Sequence, residues 1–572
     1  MRYTENAKLP LRDGALMNYD LYLPDGPQPC PVILMRTPYT KYTLKNERIY
    51  ANVRRYTDHG YAVMVSECRG TGLSEGTLCP NAVQEYDDGY DTVMWVSRQE
   101  WCDGRVGMFG LSYFGFTQLA TASLAPEPLR AICPFMTMAI EPFGAHMSRT
   151  FNYGHIGWIY GQLLSHPESM LPDPALRERL LPILRERHEH LNDYALHLPA
   201  DQNPAAQVEG VPQLQDYLSL IRGVESPAFW QSLRHPTDFS RMRAPMLHCT
   251  GWFDACLSTT LRNWQAMLDQ SPREVSGASC LVIGPWSHGG EFHSAFGSLD
   301  FGAENDGAGQ DVNGMMLAWF DRHIKGIPNQ VDAWPRVRYF VLGLNQWRSA
   351  SSWPPAEAVS TPWYLHAQGR LTDAAPSAQE PPDIYLYDPM NPAPAYAAGP
   401  EPLPDYAPLG QREDVVTYAT EPFTTPLTLA GPVAMTLYAA TTAVDTDFTC
   451  RLVDVFPDGR ELLLAQDLVR AKWRRGGDAP ALLTPGETVE YRFEVGHVAC
   501  CFLPGHRIKL HLSSALFPLH DRNLNTGEPA ASCGHYVTAT QTLFHDAAHP
   551  SCVHLPVIGA SPCVPDESPR QP

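Results

Sequence analysis

The hydrophobic pattern of this 572-residue chain changes its period once, and that change constrains the fold more than any other feature. Up to about residue 330, short apolar runs such as Val32–Met35 and Val106–Phe109 alternate with amphipathic stretches such as Tyr113–Leu124. Runs of this length suit buried strands of a parallel sheet, and the stretches between them suit helices. From about residue 335 the polarity alternates at every second residue, as in Val489–Val495. The sequence therefore predicts a β/α domain followed by an all-β domain.

The β/α pattern is interrupted by one long segment with helical periodicity. Residues 136–238 contain the amphipathic stretches Ala175–His190 and Gln213–Ile221. An all-helical insertion between consecutive strands usually covers the carboxyl ends of the strands, where ligands bind in open α/β sheets. We predict a discontinuous α/β domain of residues 1–135 and 239–330, a helical cap of residues 136–238 and a jelly-roll β-sandwich of residues 331–572.

Charge and composition limit the classes of partner. The chain has 42 Lys and Arg against 62 Asp and Glu, a formal net charge of −20. Such a protein repels phosphate backbones and anionic lipid, so we expect no nucleic acid or membrane partner. No apolar run approaches the ~20 residues of a membrane span, and the N-terminal residues lack a signal-peptide pattern. We therefore expect a cytoplasmic protein.

The cysteine pattern gives no sign of a metal centre. The 14 cysteines include no pair in the C-x2-C spacing of structural zinc sites, and His188-Glu189-His190 lacks the spacing of a catalytic zinc motif. No glycine-rich phosphate-binding loop is evident either. The sequence thus predicts neither a cofactor nor a metal ion.

The segment Gly107–Gly115 has the pattern of a strand, a sharp turn and a helix. Ser112 lies in the turn between Gly110 and Tyr113, the position of a nucleophilic serine in the G-x-S-x-G elbow. The helix that follows would direct backbone N–H groups toward developing negative charge. The match departs from the pattern because the second glycine comes one residue late, and an isolated G-x-S also occurs in ordinary βα turns.

A nucleophilic serine needs a base that is itself oriented by an acid. In the order Ser, Asp, His, two candidates follow predicted strands: Asp254 after Cys249–Phe253, and His288 after Ile283. Separately, Asp254 could be a helix N-cap and His288 a loop residue. Because all three residues follow strands in the expected order, the sequence favours a Ser–His–Asp triad.

These motifs resemble the cocaine esterase/NonD-type serine hydrolases of the X-prolyl dipeptidyl-peptidase (S15) group. The resemblance covers nearly the whole chain. In the first part it is carried by Arg36–Lys41 (RTPYTK), Arg69–Gly70 with Ser74–Gly76, Trp101–Gly107, the elbow, Gly251–Asp254 and Gly284–His288. In the β-domain it is carried by Asp445–Phe448, Leu452–Gly459, Asp521–Asn523 and Asn525–Gly527.

The resemblance implies an α/β-hydrolase domain with a helical cap and a jelly-roll domain. It also implies that Ser112 is the nucleophile, His288 the general base and acid, and Asp254 the orienting carboxylate. Tyr39 and the backbone N–H of Tyr113 would form the oxyanion hole, and Tyr39 follows a predicted strand, the expected place for such a donor. Residues expected to contact substrate are Trp158, Trp252, Phe253, Cys256, Trp286 and Phe448.

We therefore expect a serine hydrolase that cleaves ester or amide bonds of small acyl substrates through an acyl-enzyme. The α-amino acid ester hydrolase relatives carry acidic residues after the triad aspartate, whereas Asp254 is followed by Ala255-Cys256-Leu257. X-prolyl dipeptidyl-peptidases carry a large extra N-terminal domain, and this chain begins almost directly with the sheet. The alternatives are a dipeptidyl-peptidase, an acyltransferase or cyclising enzyme of natural-product metabolism, and a carbohydrate- or ligand-binding protein. Homo-oligomerisation stays open.

Overall fold

The computed structural model describes residues 1–39, 41, 51–78, 83–138, 149–232, 238–289, 292–395, 403–476 and 479–559. The first of its two large sheets has ten strands: β1 (Arg2–Pro10), β2 (Leu16–Leu23), β3 (Cys30–Thr37), β4 (Ala62–Glu67), β5 (Cys102–Leu111), β6 (Leu129–Phe135), β7 (Leu247–Phe253), β8 (Cys280–Ser287), β11 (Val337–Val341) and β12 (Gln346–Ala350). They lie in the order β1-β2-β4-β3-β5-β6-β7-β8-β11-β12. The seven strands from β4 to β11 in this order pair in parallel, and the outer pairs are antiparallel.

Helices follow the parallel strands, as the sequence predicted. They are α1 (Ala51–Asp58), α2 (Glu85–Val96), α3 (Tyr113–Ser123), α10 (Leu257–Gln270), α11 (Arg273–Ala278) and α12 (Val312–His323). Strands β3 and β7 are buried along their whole length, and β5 is buried from Val106 to Gly110, because both faces of the sheet are covered. The loops after β3, β5, β7 and β8 therefore emerge at one edge of the sheet, and Tyr39, Ser112, Asp254 and His288 lie on them.

A helical insertion lies between β6 and β7. Its helices are α4 (Gly154–Ser165), α5 (Pro167–Met170), α6 (Pro174–Glu189), α7 (Leu191–Tyr194), α8 (Pro212–Gly223) and α9 (Pro227–Ser232). Its apolar cluster also contains Tyr113 and Phe116 of α3 and Ala531 from the far end of the chain. The insertion is thus packed on the elbow itself.

The second large sheet has eleven strands from the C-terminal part of the chain. They are β13 (Ala358–His366), β14 (Arg370–Thr372), β15 (Asp383–Tyr387), β16 (Val416–Ala419), β17 (Leu427–Thr441), β18 (Asp447–Val455), β19 (Glu461–Arg470), β20 (Val489–Phe502), β21 (Arg507–Ser513), β22 (Ala539–Phe544) and β23 (Cys552–Ile558). A hairpin joins β18 to β19, and Gly459 takes a φ of 90° in its turn. Two short strands, β9 (Ala295–Phe296) and β10 (Leu299–Asp300), form a separate pair.

The two large sheets share one apolar cluster. Trp252 at the end of β7 donates its indole N–H to the carbonyl of Phe340 and packs on Trp353. The same cluster extends to Val498 of β20. Strands β11 and β12 follow the predicted boundary at residue 331 but belong to the first sheet, so the chain leaves that sheet only after Ala350. In the described ranges, no helix combines the length and apolar character needed to cross a membrane.

Candidate active site

Ser112 lies in a strained turn between β5 and α3. Its φ of 60° and ψ of −126° are unfavourable for a residue with a Cβ, and such strain is common where a side chain must be presented for chemistry. The backbone N–H of Ser112 donates to the carbonyl of Phe135 at 2.9 Å, which holds the turn against β6.

Two glycines make this turn sterically feasible. A Cβ on Gly110, which has a φ of +147°, would lie 2.1 Å from the ring of Phe114. A Cβ on Gly115 would lie 2.8 Å from the side chain of Thr137. The late second glycine is therefore required by the close approach of α3 to the segment after β6, which explains the departure from G-x-S-x-G.

Asp254 and His288 form a hydrogen-bonded pair after neighbouring strands. Nδ1 of His288 lies 2.7 Å from Oδ1 of Asp254. The other carboxylate oxygen accepts from the Thr250 hydroxyl at 2.7 Å, and Oδ1 also accepts from the backbone N–H of Cys256 at 2.8 Å. The Asp254 side chain is fully buried, whereas 27% of the His288 side chain is exposed. The carboxylate is held by three partners, and the imidazole reaches the cavity.

The charge of Asp254 changes the protonation equilibrium of His288. Burial disfavours the imidazolium, but the carboxylate charge and its hydrogen bond outweigh burial, so the pKa of His288 is raised above its usual 6.5. The imidazole therefore binds a proton more strongly here than that of a histidine in water.

Tyr39 is held over the elbow by aromatic neighbours. Its ring packs edge-on against Phe114 and Trp158, and the indole N–H of Trp158 donates to its phenol oxygen at 3.4 Å. Burial raises the pKa of Tyr39, and smaller effects of Trp158, His288 and Ser112 oppose the rise. The phenol is therefore protonated at neutral pH, and since its oxygen already accepts from Trp158, its proton is available to donate.

Buried ion pairs fix the segments that carry Tyr39 and Tyr113. Arg36 of β3 pairs with Glu85 at 2.8 Å, and the Tyr113 hydroxyl donates to the same carboxylate at 3.2 Å. Lys41 pairs with Asp20. The charged residues of the RTPYTK motif thus anchor the loop on both sides of Tyr39, and Tyr113 begins α3 with its ring stacked on Trp158.

Ser112, Asp254, His288 and Tyr39 line one cavity of about 530 Å³. The hydrolase sheet and α10 contribute Trp252, Phe253, Cys256, Thr259 and Arg262 to its wall; the cap contributes Asn152, His155 and Trp158. The third wall comes from the β-rich part and contains Leu403, Tyr406, Leu462–Asp467, Val495–His497, Leu516, Leu519 and His520. Most of these side chains are apolar, so the cavity suits an uncharged acyl group.

The chain matches two domains of known proteins. Residues 13–290 match the X-Pro dipeptidyl-peptidase (S15 family), and residues 329–554 match the X-Pro dipeptidyl-peptidase C-terminal non-catalytic domain. Cocaine esterase from Rhodococcus sp. (strain MB1 Bresler) is 33% identical over 583 residues, which cover 97% of this chain and 98% of that protein. The chain belongs to the S15 family of cocaine-esterase-type hydrolases. The resemblance inferred from the motifs is thereby confirmed.

Solved structures support the same fold. An α-amino acid ester hydrolase superposes with a TM-score of 0.79 at 26% identity, over 97% of this chain and 96% of the other. An aminopeptidase from a marine sediment Thaumarchaeota archaeon superposes with a TM-score of 0.75 at 24% identity, over the same shares, and shows the fold alone. The predicted α/β-hydrolase fold with a C-terminal β-rich domain is confirmed for this S15 protein.

The structure separates the predicted substrate contacts into two groups. Trp158, Trp252, Phe253 and Cys256 line the cavity. Two further aromatic residues do not: Trp286 is fully buried and donates to the carbonyl of Asn305 at 2.7 Å, and Phe448 packs on Tyr491 inside the β-rich part. Their positions do not support the expected substrate contact, because packed core, not cavity, surrounds both rings.

The sequence did not predict that the β-rich part would form one wall of the cavity, or that the cap residues Asn152 and His155 would line it. The sequence of β19, which carries much of this wall, does not alternate strictly between polar and apolar residues, so it does not indicate which face of the strand meets another domain. The sequence also gave no sign that the Cys256 thiol would lie beside His288: side-chain N, O and S atoms of Asp254, Cys256 and His288 all lie within 4.8 Å of one another.

Proposed function

We propose that this S15 family member is a serine carboxylic-ester hydrolase whose substrates have small, neutral acyl groups. One observation carries the proposal: Ser112, the His288–Asp254 pair and the Tyr39 phenol meet at a single, mostly apolar cavity. The identity to cocaine esterase over nearly both full lengths supports ester cleavage as the reaction.

Acylation in the proposed mechanism begins with attack of Ser112 Oγ on the ester carbonyl. His288 Nε2 takes the serine proton as the C–O bond forms, and Asp254 stabilises the resulting imidazolium across the 2.7 Å hydrogen bond. The Tyr39 hydroxyl and the Tyr113 backbone N–H donate to the carbonyl oxygen, which becomes negative. The tetrahedral intermediate then collapses, and the leaving alcohol takes the proton from His288.

Deacylation repeats these steps with water. His288 removes a proton from the water molecule as its oxygen attacks the acyl-serine carbonyl, and the same donors stabilise the second oxyanion. Collapse releases the carboxylic acid and returns the proton to Ser112 Oγ. The complete cycle consumes one ester and one water molecule and needs neither a redox partner nor a nucleophile other than water.

Labelling with a fluorophosphonate probe tests whether Ser112 is an activated nucleophile. We expect stoichiometric labelling of the intact protein and none of Ser112→Ala. Ser258→Ala is the matched control, because Ser258 also lines the cavity, and this variant should still be labelled. An intact fold without labelling at Ser112 would leave only the ligand-binding alternative.

A substrate panel separates the enzymatic alternatives. Aryl and alkyl esters of neutral acids, α-amino esters and X-Pro anilides are assayed side by side, and product analysis with added alcohols or amines detects acyl transfer. We expect neutral esters to give the highest kcat/KM and the free acid to be the main product. Faster cleavage of X-Pro anilides, or predominant transfer, would replace the proposed function with the corresponding alternative.

A further inference from the structure

Three side chains of types that can bind a metal ion, Glu528, Cys533 and His535, lie close together outside the catalytic cavity, in the segment between β21 and β22. Ligand atoms of Glu528, Cys533 and His535 all lie within 4.8 Å of one another. Sγ of Cys533 is 3.6 Å from Nδ1 of His535, and Nε2 of His535 is 3.9 Å from Oε1 of Glu528. None of the three lines the catalytic cavity, so the proposed esterase mechanism does not account for them.

The donor set and its spacing suit a borderline-soft divalent ion. Thiolate, imidazole and carboxylate are the ligands that Zn²⁺ takes in proteins. Zinc bonds of about 2.3 Å to sulfur and about 2.0 Å to nitrogen, meeting at a tetrahedral angle, separate the two ligand atoms by about 3.5 Å. The distance between Cys533 Sγ and His535 Nδ1 already has this length. Glu528 now lies beside the other ring nitrogen, Nε2, and a rotamer change of this exposed side chain would turn its carboxylate toward an ion on Nδ1.

The burial of the three side chains allows an ion to enter without opening the fold. Cys533 is only 1% exposed, whereas the side chains of His535 and Glu528 are 62% and 55% exposed. The thiol therefore forms the floor of the group, and the two other ligands face solvent. Three protein ligands leave the fourth position of a tetrahedral ion open to water.

The segment that carries these ligands also contacts the helical cap. The carbonyl of Ala531 accepts from the backbone N–H of Asp201 at 2.8 Å, and the N–H of Ala530 donates to Glu225 at 3.3 Å. The carbonyl of Glu528 accepts from Lys472 at 3.1 Å. An ion bound by residues 528, 533 and 535 would cross-link this loop on both sides of its contacts with the cap. The loop would then lose less conformational entropy when it packs against the cap.

We propose that Glu528, Cys533 and His535 bind one exchangeable Zn²⁺-class cation, which stabilises the contact between the β-rich domain and the cap. The sequence predicted no metal site because Cys533-x-His535 supplies only two ligands. The carboxylate becomes the third only when the loop folds back on itself.

Co²⁺ is the spectroscopic probe for this site. The full-length protein is stripped with a chelator and titrated with Co²⁺, and the thiolate-to-cobalt charge-transfer band is followed; Zn²⁺ is then added in competition. We expect one equivalent of Co²⁺, and no band in Cys533→Ser. Replacing a residue that only hydrogen-bonds to a metal ligand typically weakens metal binding by about 10–100-fold. His535→Ala and Glu528→Gln remove ligands themselves, so each should weaken Zn²⁺ binding at least tenfold.

Cys256→Ser is the matched control, because Cys256 belongs to the other potential metal-binding group among the described residues. This variant should keep the band and the Zn²⁺ affinity. A band that survives in Cys533→Ser, a band lost in Cys256→Ser, or no saturable binding would each overturn the proposal.

Thermal unfolding gives a second readout that does not depend on the thiol. Zn²⁺ should raise the Tm of the wild-type chain relative to a chelator, and should leave the Tm of His535→Ala unchanged. His535 is exposed, so its replacement should not unfold the protein. An equal rise of Tm in both proteins would contradict a site at these residues.

Discussion

The side chains of Asp254 and Tyr39 are fixed by neighbours that take no part in the proposed reaction. Thr250 and the backbone of Cys256 hold Asp254, and Trp158 holds Tyr39. The backbone of Ser112 is strained, and the close packing at Gly110 and Gly115 holds the turn on both sides of it. At the scale of single residues, the site is therefore preorganised, and changes in individual atoms should affect catalysis more than folding.

The first prediction concerns the pH dependence of kcat/KM. His288 acts as a base only when neutral, and Asp254 raises its pKa against the opposing effect of burial. Activity should therefore fall as the pH drops through a midpoint above 6.5, the usual value for histidine. Asp254→Asn should lower this midpoint, because the imidazolium loses its counter-charge, and should reduce kcat by up to about 10⁴-fold. The measurement is a pH profile of both proteins; an unchanged midpoint in the variant would show that another group titrates.

The second prediction concerns the Tyr39 hydroxyl. Tyr39→Phe keeps the ring that packs on Phe114 and Trp158 but removes the donor, so kcat should fall about 10²–10³-fold with little change in KM. Tyr438→Phe is the matched control, since it removes a hydroxyl that bonds to Glu490 far from the cavity, and its kinetics should equal those of the wild type. A loss confined to KM would mean that Tyr39 binds substrate without stabilising the oxyanion.

At the scale of elements, a buried charge network joins the cap to the β-rich domain. Arg470, at the end of β19, makes two 3.0 Å contacts with the Asp447 carboxylate and a third with Asp521. The Asp521 carboxylate also accepts the backbone N–H of Phe151, just before α4, at 2.8 Å. The network therefore fixes where the cap begins relative to the third wall of the cavity.

The third prediction is that Arg470→Met destabilises the protein by about 3–5 kcal/mol, since it leaves buried carboxylates without a counter-charge. Arg492→Met is the control: this arginine is 76% exposed and pairs with Glu490, so its loss should cost less than about 1 kcal/mol. Urea unfolding measures both. Adding Asp521→Asn to Arg470→Met should recover part of the loss, and failure to recover any would indicate that the arginine stabilises by packing alone.

The strands and helices near the site were largely predictable, because each carries its signal within a few residues. The hairpin of β18 and β19 and the elbow before α3 follow from local turn chemistry and periodicity. Trp286 and Phe448 were expected to contact substrate but are buried in the core. The sequence does not separate these cases, because an aromatic residue beside a motif is equally suited to core and to cavity. Strands β11 and β12 show the same limit, since a period-two pattern does not reveal which sheet a strand joins.

At the scale of the whole molecule, the cavity exists only because three parts of the chain meet. The loops of the α/β sheet supply Ser112, Asp254 and His288, the cap supplies Trp158 and His155, and the β-rich domain supplies the wall from Leu462 to Asp467. Leu464 and Ala465 of this wall belong to the apolar cluster that joins the two sheets, so the wall is packed against the first sheet. Substrate selectivity thus depends on all three parts of the chain, and the motifs of one domain do not determine it.

The last prediction concerns that selectivity. A buried ammonium group needs a carboxylate partner, because an unpaired buried charge is costly. Two carboxylates line the cavity among the described residues: Asp254, whose oxygens already bind His288, Thr250 and Cys256, and Asp467 on the far wall. Arg262 lines the same cavity, and its positive charge would disfavour an ammonium there.

Neutral acyl esters should therefore be cleaved with a higher kcat/KM than matched α-amino esters. The measurement uses two esters that differ only in an α-ammonium group, at a pH that keeps the amine protonated. Among neutral esters, one methylene should change kcat/KM by only about 10–200-fold. If the charged ester wins by tenfold or more, Asp467 is the residue to test, and Asp467→Asn should then abolish the advantage. If that variant leaves the advantage intact, the ammonium is recognised elsewhere, and the apolar character of the cavity does not set its selectivity.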